Sequence, residues 1–101
     1  MLDFTLATQV EICAELGKRL RAQRLAQLIS QEDLAQRAAV SRGTVRALES
    51  TGLSSVESLV RVATALGLAD DLGALFALKT HSIADMEKAE QSRRQRAPRR
   101  T

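Results

Sequence analysis

Apolar residues along the chain recur every three or four positions, and most of these runs are preceded by a side chain able to cap a helix. Thr8-Gln9-Val10-Glu11 has the spacing of a capping box, with Leu16, Leu20 and Leu25 following at helical intervals. Ser30 with Asp33, Ser41, and Ser54-Ser55 with Glu57 mark three further starts, since each hydroxyl can accept a free first-turn N–H. Asp70 or Asp71 opens a short fifth helix, and Ser82 with Asp85 a sixth that frays into the C-terminal end. Gly52 and Gly67 fall where helices should stop, because glycine tolerates the left-handed backbone. The pattern predicts helices near 9–28, 31–38, 42–49, 55–66 and 70–77. The longest alternating run is Leu2-Phe4-Leu6, too short to build a sheet core. The expected class is all-α.

The two short helices at 31–38 and 42–49 carry the most information. Only Ala39-Val40-Ser41 links them, and so short a link makes two helices cross steeply. Ala35 and Ala38 supply the small side chains for a close crossing, while Leu34, Val40, Val45 and Leu48 form one apolar stripe. The opposite face of the second helix bears Arg42, Gly43, Thr44 and Arg46. A helix with one anchored face and one basic, unobstructed face suits a DNA major groove, which is about 12 Å wide.

Composition narrows the alternatives. With 101 residues, one domain is expected; with two Phe and no Trp or Tyr, its core must come from Leu, Val, Ile and Ala. No apolar run approaches the roughly 20 residues of a membrane span. MLDFTLATQ lacks the pattern of a secretion signal, so a cytoplasmic protein, close to the nucleoid if it binds DNA, is expected. One cysteine, Cys13, and one histidine, His81, exclude an internal disulfide and a four-ligand Cys/His zinc site within one chain. Cys13 reads as a small core residue and His81 as a surface one. No nucleophile–base arrangement, glycine-rich phosphate loop or carboxylate pair is present, so neither an enzyme nor a cofactor or metal is expected. Charge is uneven. Residues 91–101 hold five arginines and no acid, and Lys18, Arg19, Arg21, Arg24, Arg37, Arg42, Arg46 and Arg61 cluster between 18 and 61. That distribution suggests a polyanionic partner, although a charge run by itself is usually a solvated face.

SQEDLAQRAAVSRGTVRALES resembles the helix-turn-helix of the Cro/repressor-like (XRE) family of bacterial and phage regulators. The likeness extends over 14–68: LGKRLRAQR as first helix, SQEDLAQRA as second, VSRGTVRALES as third and VESLVRVATALGL as fourth. A Gln opening helix two, an Ala inside it, a β-branched residue in helix three and Leu-Glu at its end co-occur at family spacing. The resemblance implies a five-helix repressor-like bundle binding double-stranded DNA as a dimer, to which composition adds the expectation of a flexible basic C-terminal tail. Two positions depart from the pattern: Ala39 stands at the turn and Leu28 at the end of helix one, both common sites for glycine.

Within this frame Arg42 is the first candidate for base contact, its guanidinium fork matching O6 and N7 of guanine, and Arg46 is the second. Gly43 lets the backbone approach DNA or is simply a tolerated first-turn glycine, and the Ala47 methyl could touch a thymine. Gln31, Ser41, Thr44 and Arg19 are the expected phosphate contacts, although the Ser41 and Thr44 hydroxyls are also wanted by their own helix. Lys18, Arg19 and Arg21 flank the duplex or form a solvated face. The resemblance also implies a partly buried structural ion pair between Arg24 and Glu49.

Leu66, Leu68, Leu72, Leu75, Phe76 and Leu78 exceed what one short helix buries, so they divide between core and a dimer interface. Leu2, Phe4 and Leu6 either pair across that twofold axis or pack on their own bundle. The expected organisation is an arm at 1–8, a DNA-binding domain at 9–80 and an Arg-rich, partly disordered extension at 81–101. A small regulator with an arginine-rich end also resembles the HipB-like antitoxins encoded beside HipA-type kinase toxins. That likeness implies a self-repressing antitoxin with a HipA-like kinase partner, while two copies about a twofold axis demand a pseudo-palindromic operator. The competing reading is a protein-interaction module of the same fold that does not read DNA.

Overall fold

A computed structural model describes residues 2–79 and 83–96, and every regular element among them is helical. The elements are α1 (Gln9–Ala26), α2 (Gln31–Ala38), α3 (Arg42–Thr51), α4 (Val56–Ala65), α5 (Ala69–Gly73) and α6 (Ile83–Arg96). The first five make the bundle, with α3 packed against both α1 and α2 and α4 behind α2.

Side-chain caps set four of the starts. Thr8 Oγ1 accepts from the Glu11 N–H at 3.1 Å while Glu11 Oε1 accepts from the Thr8 N–H at 2.9 Å, a complete capping box. Ser30, Ser41 and Ser55 each accept from the N–H three residues on, all at 3.0 Å. These bonds satisfy donors that the helix itself leaves unpaired. Left-handed residues follow the helices: Leu28 (φ 59°), Ala39 (φ 57°), Gly52 (φ 76°) and Gly67 (φ 81°). Leu28 and Ala39 therefore adopt the glycine-favouring conformation without being glycine, at a cost of roughly 1 kcal/mol each.

The core consists of Leu20, Ile29, Leu34, Ala35, Ala38, Val45, Leu48, Val62 and Leu66, with Val40, Leu59, Ala65 and Leu68 packed around it. Leu34, Val45 and Val62 are wholly enclosed. The tightest approach lies between α1 and α3. A Cβ on Gly17 would stand 2.1 Å from the Leu48 carbonyl oxygen, and one on Gly52 would stand 1.9 Å from that of Cys13. Glycine at both places lets the two backbones touch.

Several expectations change. α1 ends at Ala26 rather than 28, because the chain turns left-handed at Leu28. Leu25 is half exposed, the buried position on that turn being taken by Arg24. α5 covers only Ala69–Gly73; Leu68 occupies its cap position without a side-chain bond, so Asp70 and Asp71 lie in its first turn instead of opening it. Phe76, expected inside that helix, sits beyond it with φ 56°. Leu2, Phe4 and Leu6 do not form a strand. Asp3 Oδ1 accepts from the N–H and hydroxyl of Thr5, and the Leu6 N–H returns to the Asp3 carbonyl, folding the segment into a turn. Phe4 lies under the Arg19 guanidinium, 5.0 Å from the ring centroid. At the other end α6 carries Arg93, Arg94 and Arg96 in helix, so the arginine-rich run is not wholly irregular. His81, Ser82 and residues 97–101, with the arginines at 99 and 100, lie outside the described residues, as does the disorder expected there.

Candidate nucleic-acid interface

The helix-turn-helix is built as one unit. Ala39 reverses the chain after α2 with φ 57° and ψ 42°, its N–H bonding back to the Ala35 and Gln36 carbonyls. Ser41, two residues later, caps α3. Ala35 and Ala38 are buried, so no large side chain separates the two helices. Val45 and Leu48 anchor α3 inward at helical spacing.

The face of α3 opposite Val45 and Leu48 is open. Arg42, Gly43 and Arg46 are exposed, and Thr44 and Ala47 are half-buried. A Cβ on Gly43 would meet nothing nearer than Ser41 Oγ at 3.8 Å, so its glycine answers no packing demand inside the chain. The charge pattern separates Arg42 and Arg46 from most other surface arginines, Arg21 on α1 being likewise exposed and without an ion-pair partner among the described residues. Arg19, Arg37 and Arg61 each pair with the acid four residues earlier, and Arg93 and Arg94 share Glu90. Arg42 and Arg46 have no ion-pair partner among the described residues, and the first turn of α3 carries no acid. Two neighbouring like charges left uncompensated on one helix face disfavour the free protein slightly and favour an anionic ligand.

The expected phosphate contacts are placed unequally. Ser41 Oγ and Thr44 Oγ1 lie 2.8 Å apart, and Ser41 Oγ also accepts the Thr44 N–H. One hydroxyl donates to the other, which leaves a single proton between them for an outside acceptor. Gln31, the first residue of α2, is half-buried, and its Nε2 donates to Glu49 Oε1 at 3.1 Å. Arg19 is committed to Glu15 at 2.9 Å and to the Phe4 ring, both on the N-terminal side of the bundle. An intrachain ion pair and a cation–π contact compete with any phosphate for that guanidinium.

Beneath the open face lies the Arg24–Glu49 ion pair. Arg24 Nε donates to Glu49 Oε2 at 2.6 Å and Nη2 to Oε1 at 3.0 Å, while Nη1 donates to the Ile29 carbonyl at 2.8 Å. Both side chains are over nine-tenths buried, at 8% and 3% exposure, so the fork-to-fork geometry works where screening is weak. Burial pushes the Glu49 carboxyl up, but the bonds from Arg24 and Gln31 and the nearby charges of Arg24 and Arg21 more than offset it. The carboxyl is held below the ordinary glutamate range. Arg24 is raised in turn, chiefly by its bond to Glu49. No buried side-chain nitrogen or oxygen among the described residues lacks a partner. The pair ties the end of α3 to α1 and to the loop before α2.

The residues assigned between core and dimer separate sharply. Leu66 is 3% exposed and lies one turn after Val62 on the inward face of α4, so it belongs to the core and is withdrawn from the interface. Leu68 packs against that core from a half-buried position. Leu72 is half-buried, while Leu75, Phe76 and Leu78 are exposed at 51%, 95% and 79%.

Three contributors escaped sequence reasoning. Gly17 lies inside α1, where helical spacing gives no reason for a glycine, and only the crossing with Leu48 explains it. Ile29 is buried and offers its carbonyl to Arg24, but it stands alone in a loop where periodicity says nothing. The Gln31–Glu49 bond spans 18 positions, so no local spacing reports it. Cys13 is half-buried, and no group of three or more His, Cys, Asp or Glu among the described residues is placed to hold a metal.

No curated relative matches the chain. No described helix is long and apolar enough to cross a membrane. The family model described as "Helix-turn-helix" matches residues 20–72, from the buried Leu20 of α1 to Leu72 within α5. With that match over half the chain, and with the α2–α3 pair built as described, the protein belongs to the helix-turn-helix family and is a DNA-binding transcription regulator of the XRE type.

Proposed function

We propose that this regulator is a sequence-specific repressor that binds a pseudo-palindromic operator as a dimer. The observation that carries the reading is the pair of unpaired arginines, Arg42 and Arg46, one turn apart on the open face of α3. Arg42 is the principal base-reading residue, Arg46 reads a second base or holds a phosphate, and Gly43 and Ala47 let the helix sit close to the base edges. Gln31, with the one free proton of the Ser41–Thr44 pair, contacts the backbone. Arg19 is a weaker candidate, because Glu15 and Phe4 already engage it.

So few base contacts favour two copies and half-sites about one helical turn apart. The exposed Leu75 and Phe76, extended by Leu72, are the surface assigned to the twofold contact. Residues 9–80 act as the DNA-binding unit, 1–8 as its arm and 81–101 as a basic extension that adds affinity through counterion release. The finer reading, an antitoxin held to a HipA-like kinase, rests on the resemblance of the arginine-rich end. A neighbouring kinase gene whose product co-purifies with the chain tests it.

The decisive experiment enriches duplexes from a random pool with the wild-type protein, then compares wild type and Arg42→Ala by fluorescence anisotropy. Loss of one bidentate arginine–guanine contact removes about 1–3 kcal/mol of discrimination, so preference for the enriched duplex should fall by roughly fivefold to a hundredfold. An unchanged preference, or no enrichment at all, refutes base reading and favours the protein-interaction module.

A further inference from the structure

We infer that Glu49, a residue that cannot itself touch DNA, is a positioning residue for DNA binding and acts by orienting the Gln31 amide. This rests on the proposed phosphate contact of Gln31. Glu49 is buried and its Oε1 accepts two donors, Arg24 Nη2 at 3.0 Å and Gln31 Nε2 at 3.1 Å. A glutamine amide can rotate by half a turn and present either its oxygen or its nitrogen to a given neighbour. Against a carboxylate only the nitrogen is acceptable, since the flipped amide would set oxygen against oxygen beside a negative charge. Arg24 fixes the carboxylate from two directions and is itself fixed by the Ile29 carbonyl. The second Gln31 N–H, diverging from the first in the amide plane, is thereby held available from a half-buried base. Among the described residues it has no other partner. A phosphate oxygen meets a preset donor instead of an amide that must first turn, and the charged Glu49 polarises that donor further.

The test is a double-mutant cycle in affinity for the duplex enriched by the wild-type chain, run well below the melting temperature of every variant. Loss of one hydrogen bond to a charged oxygen should make Gln31→Ala bind about tenfold more weakly. Glu49→Gln should lose a similar factor on the wild-type background and less than about twofold when Gln31 is already alanine, as coupled residues do. The salt dependence should not change in either variant, because a neutral amide releases no counterion, whereas Arg42→Ala should flatten it. Additive losses, or a Gln31→Ala that binds like wild type, overturn the inference. If Arg42→Ala still weakens binding in that case, the DNA-reading assignment stands without it; a chain that binds no duplex overturns both. Where Glu49→Gln does not fold, the two side-chain amide protons of wild-type Gln31 supply the answer by NMR. One should be displaced in the free protein and stay put on adding duplex, while the other moves. Two protons that move together, or lie at unstructured positions from the outset, overturn the proposal.

Discussion

Replacing Gly17 with alanine sets two effects against each other, and the structure decides the sign. In an exposed helix interior this change stabilises by about 1 kcal/mol, because glycine loses more backbone freedom on folding. At Gly17 the new Cβ would stand 2.1 Å from the Leu48 oxygen and 3.2 Å from both the Glu49 oxygen and the Gly52 nitrogen. All three are backbone atoms, so no rotamer change relieves the clash. To bring the first contact to an acceptable 3.0 Å, α1 and α3 must part by about 1 Å. Overpacking of this kind typically costs 1–3 kcal/mol, and the upper end applies where two helix backbones rather than side chains must move. Subtracting the propensity gain leaves a net loss of about 2 kcal/mol, equivalent to roughly 10 °C in Tm for a domain of this size. Gly43→Ala is the built-in contrast, with no neighbour within 3.4 Å and the nearest at 3.8 Å. It should leave the melting point unchanged or raise it by a few degrees. Thermal unfolding followed by far-UV circular dichroism reads both. A Gly17→Ala protein that melts at or above the wild type would refute the close-approach account of the α1–α3 crossing.

Other predictions follow from the ion pair and the turns. Glu49→Ala leaves the Arg24 guanidinium buried and unpaired and should lower stability by about 3–5 kcal/mol, read by urea unfolding. The double replacement Arg24→Met with Glu49→Leu should recover most of that loss, and a double variant as unstable as the single one would contradict the desolvation argument. Because Glu49 is held below its unfolded-state value by Arg24, Gln31 and Arg21, its contribution is present above the ordinary glutamate range and fades as pH falls through and below it. Melting temperature should therefore drop more steeply with acid in the wild type than in the apolar double variant; parallel curves would show that other groups govern acid unfolding. Leu28→Gly should stabilise by about 0.5 kcal/mol, since Leu28 is 94% exposed at φ 59° and relief of the left-handed strain exceeds the added unfolded-state entropy. A lower melting temperature would show that the Leu28 side chain contributes contacts not evident from its exposure.

The elements that sequence reading placed well are those whose start is a local event. Thr8, Ser30, Ser41 and Ser55 each cap the helix that follows, and a cap needs only residues three or four apart. The inward stripe of α3 was legible for the same reason, since Val45 and Leu48 repeat at helical spacing. Where the reading failed, tertiary context ruled. Leu66 and Phe76 are both apolar, yet one is core and the other almost fully exposed, and only the turn at Gly67 and the early end of α5 separate them. Leu25, expected inward from its spacing, yields that position to Arg24, whose burial only the family resemblance implied; an arginine with a buried carboxylate partner can outcompete a leucine. Periodicity carries no information about such a partner 25 positions away.

Two contacts that local spacing does not report fix how α3 sits on the bundle. α3 has no covalent reason to present Arg42 and Arg46 at a fixed angle, since its own residues only decide which face is apolar. Its height above α1 is set where Gly17 meets Leu48, and its rotation is set where Glu49 meets Arg24 and Gln31. Both contacts fall at neighbouring residues, Leu48 and Glu49, near the C-terminal end of α3, while Arg42 lies at its start. Held at that end by a backbone contact and a buried side-chain network, α3 cannot lift from α1 or roll without breaking one of them. On the proposed reading, the Arg42 fork needs alignment with a base edge far more than it needs charge, because bidentate geometry tolerates little displacement. A substitution at Gly17 that leaves the chain folded should therefore erode preference among sequences more than it erodes binding to unrelated DNA, whereas one at Glu49, which acts through a phosphate contact, should weaken both alike.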